Sequence, residues 1–87
     1  MALQKEIEKN FPKIEKFFSP ETLLKFAHTR PEDLGIYHFG LGTMIRVKLL
    51  RPKGALYKKF TAEGFADRDE MSMKIISEFY KYIRYKI

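Results

Sequence analysis

With no cysteine in the chain, its chemistry would have to come from two histidines, eleven carboxylates, seventeen cations and five tyrosines. A histidine acts as a base only with a nucleophile or carboxylate in hydrogen-bond reach. Neither His28 nor His38 has such a partner adjacent in sequence. His28 falls at the end of a helical segment, where an imidazolium suits the negative end of the helix dipole. His38 falls on the inward face of the next segment, as a core histidine donating to a backbone carbonyl. Two histidines without cysteine or an H-E-x-x-H pair do not make a zinc set. Glu32 with Asp33, and Asp67 with Glu70, stand where helices open, so they read as caps and not as an acid and base pair. Gly40-x-Gly42 follows no strand and completes neither phosphate-loop pattern, which leaves close helix packing as its role. These features point away from an enzyme, a metal and a cofactor.

The cations are the strongest functional lead. Residues 1–45 carry six basic and six acidic side chains, and residues 46–87 carry eleven and five, so the whole net charge of +6 lies in the second half. Arg46, Lys48, Arg51, Lys53, Lys58 and Lys59 surround one turn, with Tyr57 among them. Lys81, Arg84 and Lys86 interleave with Tyr80, Tyr82 and Tyr85. Lysine and arginine could bind phosphates while tyrosine stacks on bases. The same residue types anchor protein interfaces. No helix-turn-helix, zinc-finger or aromatic RNP signature favours nucleic acid. The expected partner-binding set is Arg46, Lys48, Arg51, Lys53, Tyr57, Lys58, Lys59 and Tyr85. Arg46 also suits a structural role, paired with Glu32 or Asp33.

Eighty-seven residues make one domain, spanning 1–87, and 45% hydrophobic with 15% aromatic content exclude a disordered chain. The lack of cysteine favours a reducing compartment. Residues 1–10 carry Lys5, Glu6, Glu8 and Lys9 where a signal peptide needs an apolar run. No stretch reaches the ~18 apolar residues of a membrane span. A cytoplasmic setting with no membrane partner is expected.

The elements that must position these residues are helical. Leu3, Ile7, Phe11, Ile14, Phe17 and Phe18 form one stripe, and Pro12 kinks it or splits it in two. Ser19-Pro20-Glu21 opens a second helix, and Thr29-Arg30-Pro31 repeats that grammar for a third. Leu34, His38, Leu41, Ile45 and Leu49 share one face of the third, with Ile36, Phe39 and Val47 elsewhere around it. That distribution predicts a buried, central, glycine-containing helix. The alternative is a loop from Gly35 to Gly42 between two shorter elements. Arg51-Pro52-Lys53-Gly54 is a turn. A fourth helix carries Leu56, Tyr57 and Phe60 and ends at Gly64. Asp67 and Glu70 box the last helix, whose stripe is Met71, Ile75, Phe79, Tyr82 and Ile83, flanked by Ile76, Tyr80 and Ile87. The expectation is an all-α domain of four to five helices around the third.

The run Tyr37-His38-Phe39-Gly40-Leu41-Gly42-Thr43-Met44-Ile45-Arg46, after the acidic turn Glu32-Asp33-Leu34, resembles an uncharacterised family of small, mainly bacterial domains with an H-x-G-L-G-x-x-I-R core. Gly64-Phe65, Asp69-Glu70, Met71-Ser72, Ile75-Ile76 and Phe79 resemble that family's C-terminal part. The likeness covers roughly residues 31–83. Val47-Lys48-Leu49-Leu50 departs from the asparagines and tryptophan often found there, and Arg68 displaces an acidic cap position. The resemblance implies a compact helical fold and no particular activity.

Small domains of this type are common as immunity partners of bacterial toxins. The leading expectation is therefore a protein-binding inhibitor that occludes a cognate toxin. Inhibitors of basic nuclease toxins tend to be acidic. This chain is basic, so either its partner is acidic or its neutral first half makes the contact. The alternative is a small basic nucleic-acid-binding accessory protein. A self-associating structural module is the third possibility.

Overall fold

The computed structural model describes residues 2–86, so Ile87 and its expected flanking place lie outside the described residues. Six α-helices and one 3-10 helix follow in order: α1 (Ala2–Lys9), α2 (Phe11–Glu15), α3 (Pro20–Ala27), the 3-10 helix (Pro31–Tyr37), α4 (Leu41–Lys48), α5 (Ala55–Ala62) and α6 (Arg68–Lys86). No strand occurs among the described residues. The fold is all-α, with more and shorter pieces than the four or five helices expected.

The nineteen residues of α6 run about 28 Å at 1.5 Å each, most of the molecule's 34 Å long axis. Helices α1, α3, α4 and the 3-10 helix pack on it, and α5 packs on α1. Of its expected stripe Met71, Ile75, Phe79 and Ile83 are buried and Tyr82 is half-buried, while Ile76 and Tyr80, expected to flank it, lie in the core. Phe79 is the hub, with ring centroids of Phe26, Phe11, Phe18 and Tyr82 at 5.6, 5.7, 6.0 and 6.1 Å. Such pairs add about 0.5–1.5 kcal/mol each beyond the area they bury.

Local chemistry explains several helix ends. Pro12 has no N–H to donate, and its ring opposes the carbonyl of residue i−4. The first stripe therefore splits: α1 stops at Lys9, and the Asn10 amide donates to the Glu6 carbonyl at 2.8 Å. Ser19 caps α3 in a reciprocal box with Thr22, with Pro20 in the first turn. Asp67 accepts the Asp69 N–H at 2.7 Å, which satisfies one open donor of α6. The end of α5 is a Schellman motif. The Phe65 N–H donates to Phe60 O and the Gly64 N–H to Thr61 O, both at 3.1 Å, while the Phe65 ring packs on Phe60. Gly64 holds φ +93°, a left-handed value that a Cβ penalises.

The continuous third helix does not form. Residues 31–37 wind as a 3-10 helix, the chain turns through 38–40, and α4 starts afresh at Leu41. Glycines at 35, 40 and 42 lower helix propensity by about 1 kcal/mol each relative to alanine, and tertiary contacts decide the outcome. Tyr37 is held across α3, its hydroxyl 3.0 Å from Thr29 Oγ1 and its ring on Phe26. Leu34, Leu41 and Ile45 still face inward, but Ile36, Phe39 and Val47 are exposed. Of the glycines in this run, Gly42 has the close approach expected: a Cβ there would meet the Arg46 side chain at 3.0 Å and the Tyr37 carbonyl at 3.4 Å. The central element is α6, not the third helix.

Two outcomes are expected in solution. Gly64→Ala should cost more than about 1 kcal/mol, lowering Tm by at least about 4 °C, measured by circular dichroism. Stability should also fall in acid. The Lys59 hydrogen bond holds the Glu6 carboxyl below its ordinary 4.5. Burial pushes Glu78 upward, but hydrogen bonds from Gln4 and Lys81 and the charges of Lys74 and Lys81 outweigh it and lower its pKa. A carboxylate lowered in the folded state stabilises fully above its unfolded value, and that contribution goes as pH falls through the folded one. Lys59→Met should therefore move the acid-unfolding midpoint to higher pH, while costing less than about 1 kcal/mol at neutral pH.

Candidate functional site

The two stretches that carry the family resemblance meet at one side chain. Arg46, in the last turn of α4, extends its guanidinium toward the start of α6. Its Nη1 donates to Ser72 Oγ at 3.1 Å, and its Nε lies 3.4 Å from Asp69 Oδ1. Its Nη2 donates to Thr43 Oγ1 at 3.0 Å and to the His38 carbonyl at 3.3 Å. Ser72 is fully buried and donates in turn to the Asp69 carbonyl at 2.9 Å. Arg68 completes the joint, its Nη2 donating to the Arg46 carbonyl at 2.6 Å. A cation on a late carbonyl of α4 suits that helix's negative end. The position where the resemblance has an acid thus caps a neighbouring helix.

This clasp corrects two expectations. Arg46 pairs with Asp69, not with Glu32 or Asp33, because the break at 38–40 turns α4 toward α6; Asp33 is held by Arg30 at 3.0 Å. His38 is half-buried, its ring edge-on to Phe39 at 4.9 Å, and it contributes a backbone acceptor in place of a core donor. His28 is the C-cap of α3, with Nδ1 2.8 Å from the Leu24 carbonyl.

The remaining expected partner-binding residues scatter. Lys59 bridges to Glu6 on α1 at 3.1 Å, and Tyr57 is half-buried against the core. Lys53 and Lys58 are exposed. Tyr85 is 95% exposed and stands on the rim of two depressions of about 450 and 670 Å³ flanking α6. Lys48 and Arg51 come together with two cations that lie far from them in sequence. Lys13, Lys16 and Phe17, from the end of α2 and just after it, and Lys48, Leu49 and Arg51, from the end of α4 and the turn after it, together line an open groove of about 370 Å³. Among the described residues no carboxylate lies within 4.0 Å of these four cations. Sequence reasoning missed Lys13 and Lys16. Their three-residue spacing marks only a solvated helix face, and the tertiary fold alone sets that face beside the turn after α4.

It also missed the exposed apolar side chains. Ile36 and Phe39 are 71% and 82% exposed, at the end of the 3-10 helix and in the turn that follows. Val47 is exposed on α4, and Phe39, Thr43 and Val47 follow one another at four-residue steps. Thr43 donates to the Phe39 carbonyl, which ties the turn at 38–40 to the first turn of α4. No group of three or more His, Asp or Glu side chains able to hold a metal is found among the described residues. Nor is any described helix long and apolar enough to cross a membrane.

If Arg46 is a structural clasp, its fork geometry matters more than its charge. Arg46→Lys should destabilise by about 2 kcal/mol, a loss of about 10 °C in Tm. Asp69→Asn should cost less than about 1 kcal/mol, because Asp69 is largely exposed. Equilibrium urea unfolding of both variants checks the order.

Comparison with known proteins bears on the whole of this architecture. No curated protein and no solved structure matches the chain. One family model does, over residues 5–83, reaching from α1 through to α6. The chain belongs to the DUF6794 family, a domain of unknown function.

Proposed function

We propose that this domain is a non-catalytic protein-binding module of the cytoplasm. In its most concrete form it is a bacterial immunity protein that neutralises a cognate toxin by stoichiometric occlusion. The observation that carries this reading is the exposure of three large apolar side chains, Ile36, Phe39 and Val47. Phenylalanine is chiefly a core residue, and an exposed ring beside exposed aliphatics marks an interaction site. A chain this short needs every ring for its core, and Phe11, Phe26, Phe60 and Phe79 are spent that way. Phe39 stands out in the turn that hydrogen bonds from Thr43 and Arg46 tie to α4. A turn tied in this way costs less entropy to order on binding. A stable interface takes about 800 Å² from each partner, roughly one-seventh of the domain's 5691 Å². Contact must therefore spread from these side chains onto their polar surroundings.

One observation favours the alternative, a nucleic-acid-binding accessory protein. Residues 46–59 contain six cations and no carboxylate. Binding through several phosphates would weaken steeply with salt, whereas an interface anchored on Phe39 would hold.

A tagged pull-down from source-cell lysate, with and without nuclease, separates the two. A single protein recovered near one-to-one in both halves, and lost with Phe39→Asp, is the expected result. Nucleic acid recovered in the untreated half, with no stoichiometric protein in either, would overturn it.

A further inference from the structure

The groove between α2 and the turn after α4 carries a charge excess that the fold itself does not use. Lys16 is the C-cap residue of α2, and Lys48 closes α4, whose C-cap is Leu49. Cations belong at such ends, and each helix terminus offers about −0.5 of a charge. Two termini together offset about one positive charge. Lys13, Lys16, Lys48 and Arg51 supply four, with no carboxylate within 4.0 Å among the described residues. Some cations elsewhere pair across elements, as Lys59 with Glu6 and Lys86 with Glu15. Among the described residues Lys5, Lys25, Lys53 and Lys58 are in no ion pair either, and what sets Lys13, Lys16, Lys48 and Arg51 apart is that they line one groove. Here the cations only repel one another, an arrangement that a bound anion would relieve.

The apolar part of the lining narrows the choice of anion. Phe17 and Leu49 line the groove with the cations, and both are half-buried against the core. A single-strand binder offers successive base-stacking rings along a groove that tracks the backbone. This groove is instead one short cavity of about 370 Å³ lined by four cations, two from each of two chain segments. It fits a compact group that carries both carboxylates and an apolar side chain.

We infer that this groove receives an acidic segment of a protein partner, its carboxylates meeting Lys13, Lys16, Lys48 and Arg51 while one apolar side chain rests on Phe17 and Leu49. The inference rests on the protein-binding reading and adds the chemistry of the partner. An acidic partner also accounts for a basic inhibitor, since complementary potential steers association.

The test uses the full chain, labelled with 15N, and two probes. One is a nonapeptide of glutamates around a central leucine, and the other is an oligothymidylate of equal charge. The peptide should shift the amides of Lys13, Lys16, Phe17, Lys48, Leu49 and Arg51. Lys16→Glu with Arg51→Glu should weaken its binding about tenfold, and Lys25→Glu, on the exposed face of α3, less than about twofold. Replacing the central leucine by serine should weaken binding again. Thermal melts should show the double variant about as stable as the parent, because relieved repulsion offsets the unfavourable glutamate at the C-terminal end of α2. Shifts spread evenly over lysines outside the groove, or equal weakening by Lys25→Glu, would overturn the inference and leave the Phe39 pull-down as a separate test of protein binding. Oligothymidylate seated in the groove more tightly than the peptide would overturn it in favour of a phosphate backbone.

Discussion

Burial of Phe79 against rings from three other parts of the chain is the interaction on which the domain depends. Phe11 comes from α2, Phe18 from the turn after it and Phe26 from α3. A domain of this length buries a modest share of its surface, so its core must be dense in area per residue. Aromatic rings meet that demand. They also make α6 the common wall, because most of the shorter helices pack on it. A helix of five or eight residues is marginal in water by itself. Here α1, α3 and α4 are held by what they bury on α6, and α5 by what it buries on α1.

Charge divides into two uses. Arg46 and Arg68 spend theirs inside the structure, joining α4 to the start of α6 through Asp69, Ser72 and two backbone carbonyls. Lys59 and Lys86 tie distant elements together through Glu6 and Glu15. Among the outward residues are Phe39 with the exposed aliphatics Ile36 and Val47, and the four cations of the groove. The clasp and the exposed ring are adjacent in sequence: His38 gives the clasp a carbonyl, and Phe39 is the next residue. One short irregular stretch therefore serves stability and presentation together.

Much of the fold was legible because its rules are local. Pro12, the Ser19-Pro20 start and Gly64 mark helix ends by backbone chemistry that needs no tertiary context. The stripe of α6 is legible because a long helix repeats its period several times. The third helix was not. Its apolar residues fit a continuous helix, and three glycines against that reading were outweighed by spacing. What decides the break is where Tyr37 and Arg46 find partners, eight residues back at Thr29 and 26 residues on at Ser72. The same non-local cause hid the groove. Lys13 and Lys48 are 35 positions apart, and neither one's neighbours in sequence name the other. Of the expected binding residues, Lys48 and Arg51 share this groove, while Arg46 and Lys59 have internal partners that composition could not show.

Native-state hydrogen exchange of the free domain tests most directly whether α6 is the element the others depend on. Amides of Ile75 to Phe79 should exchange only through global unfolding, with an exchange free energy equal to the unfolding free energy from denaturant. The 3-10 helix and residues 38–40 should exchange through local openings of lower free energy. Amides of α6 exchanging by local opening, well below the global value and ahead of those of α1 or α5, would contradict a core organised on that helix.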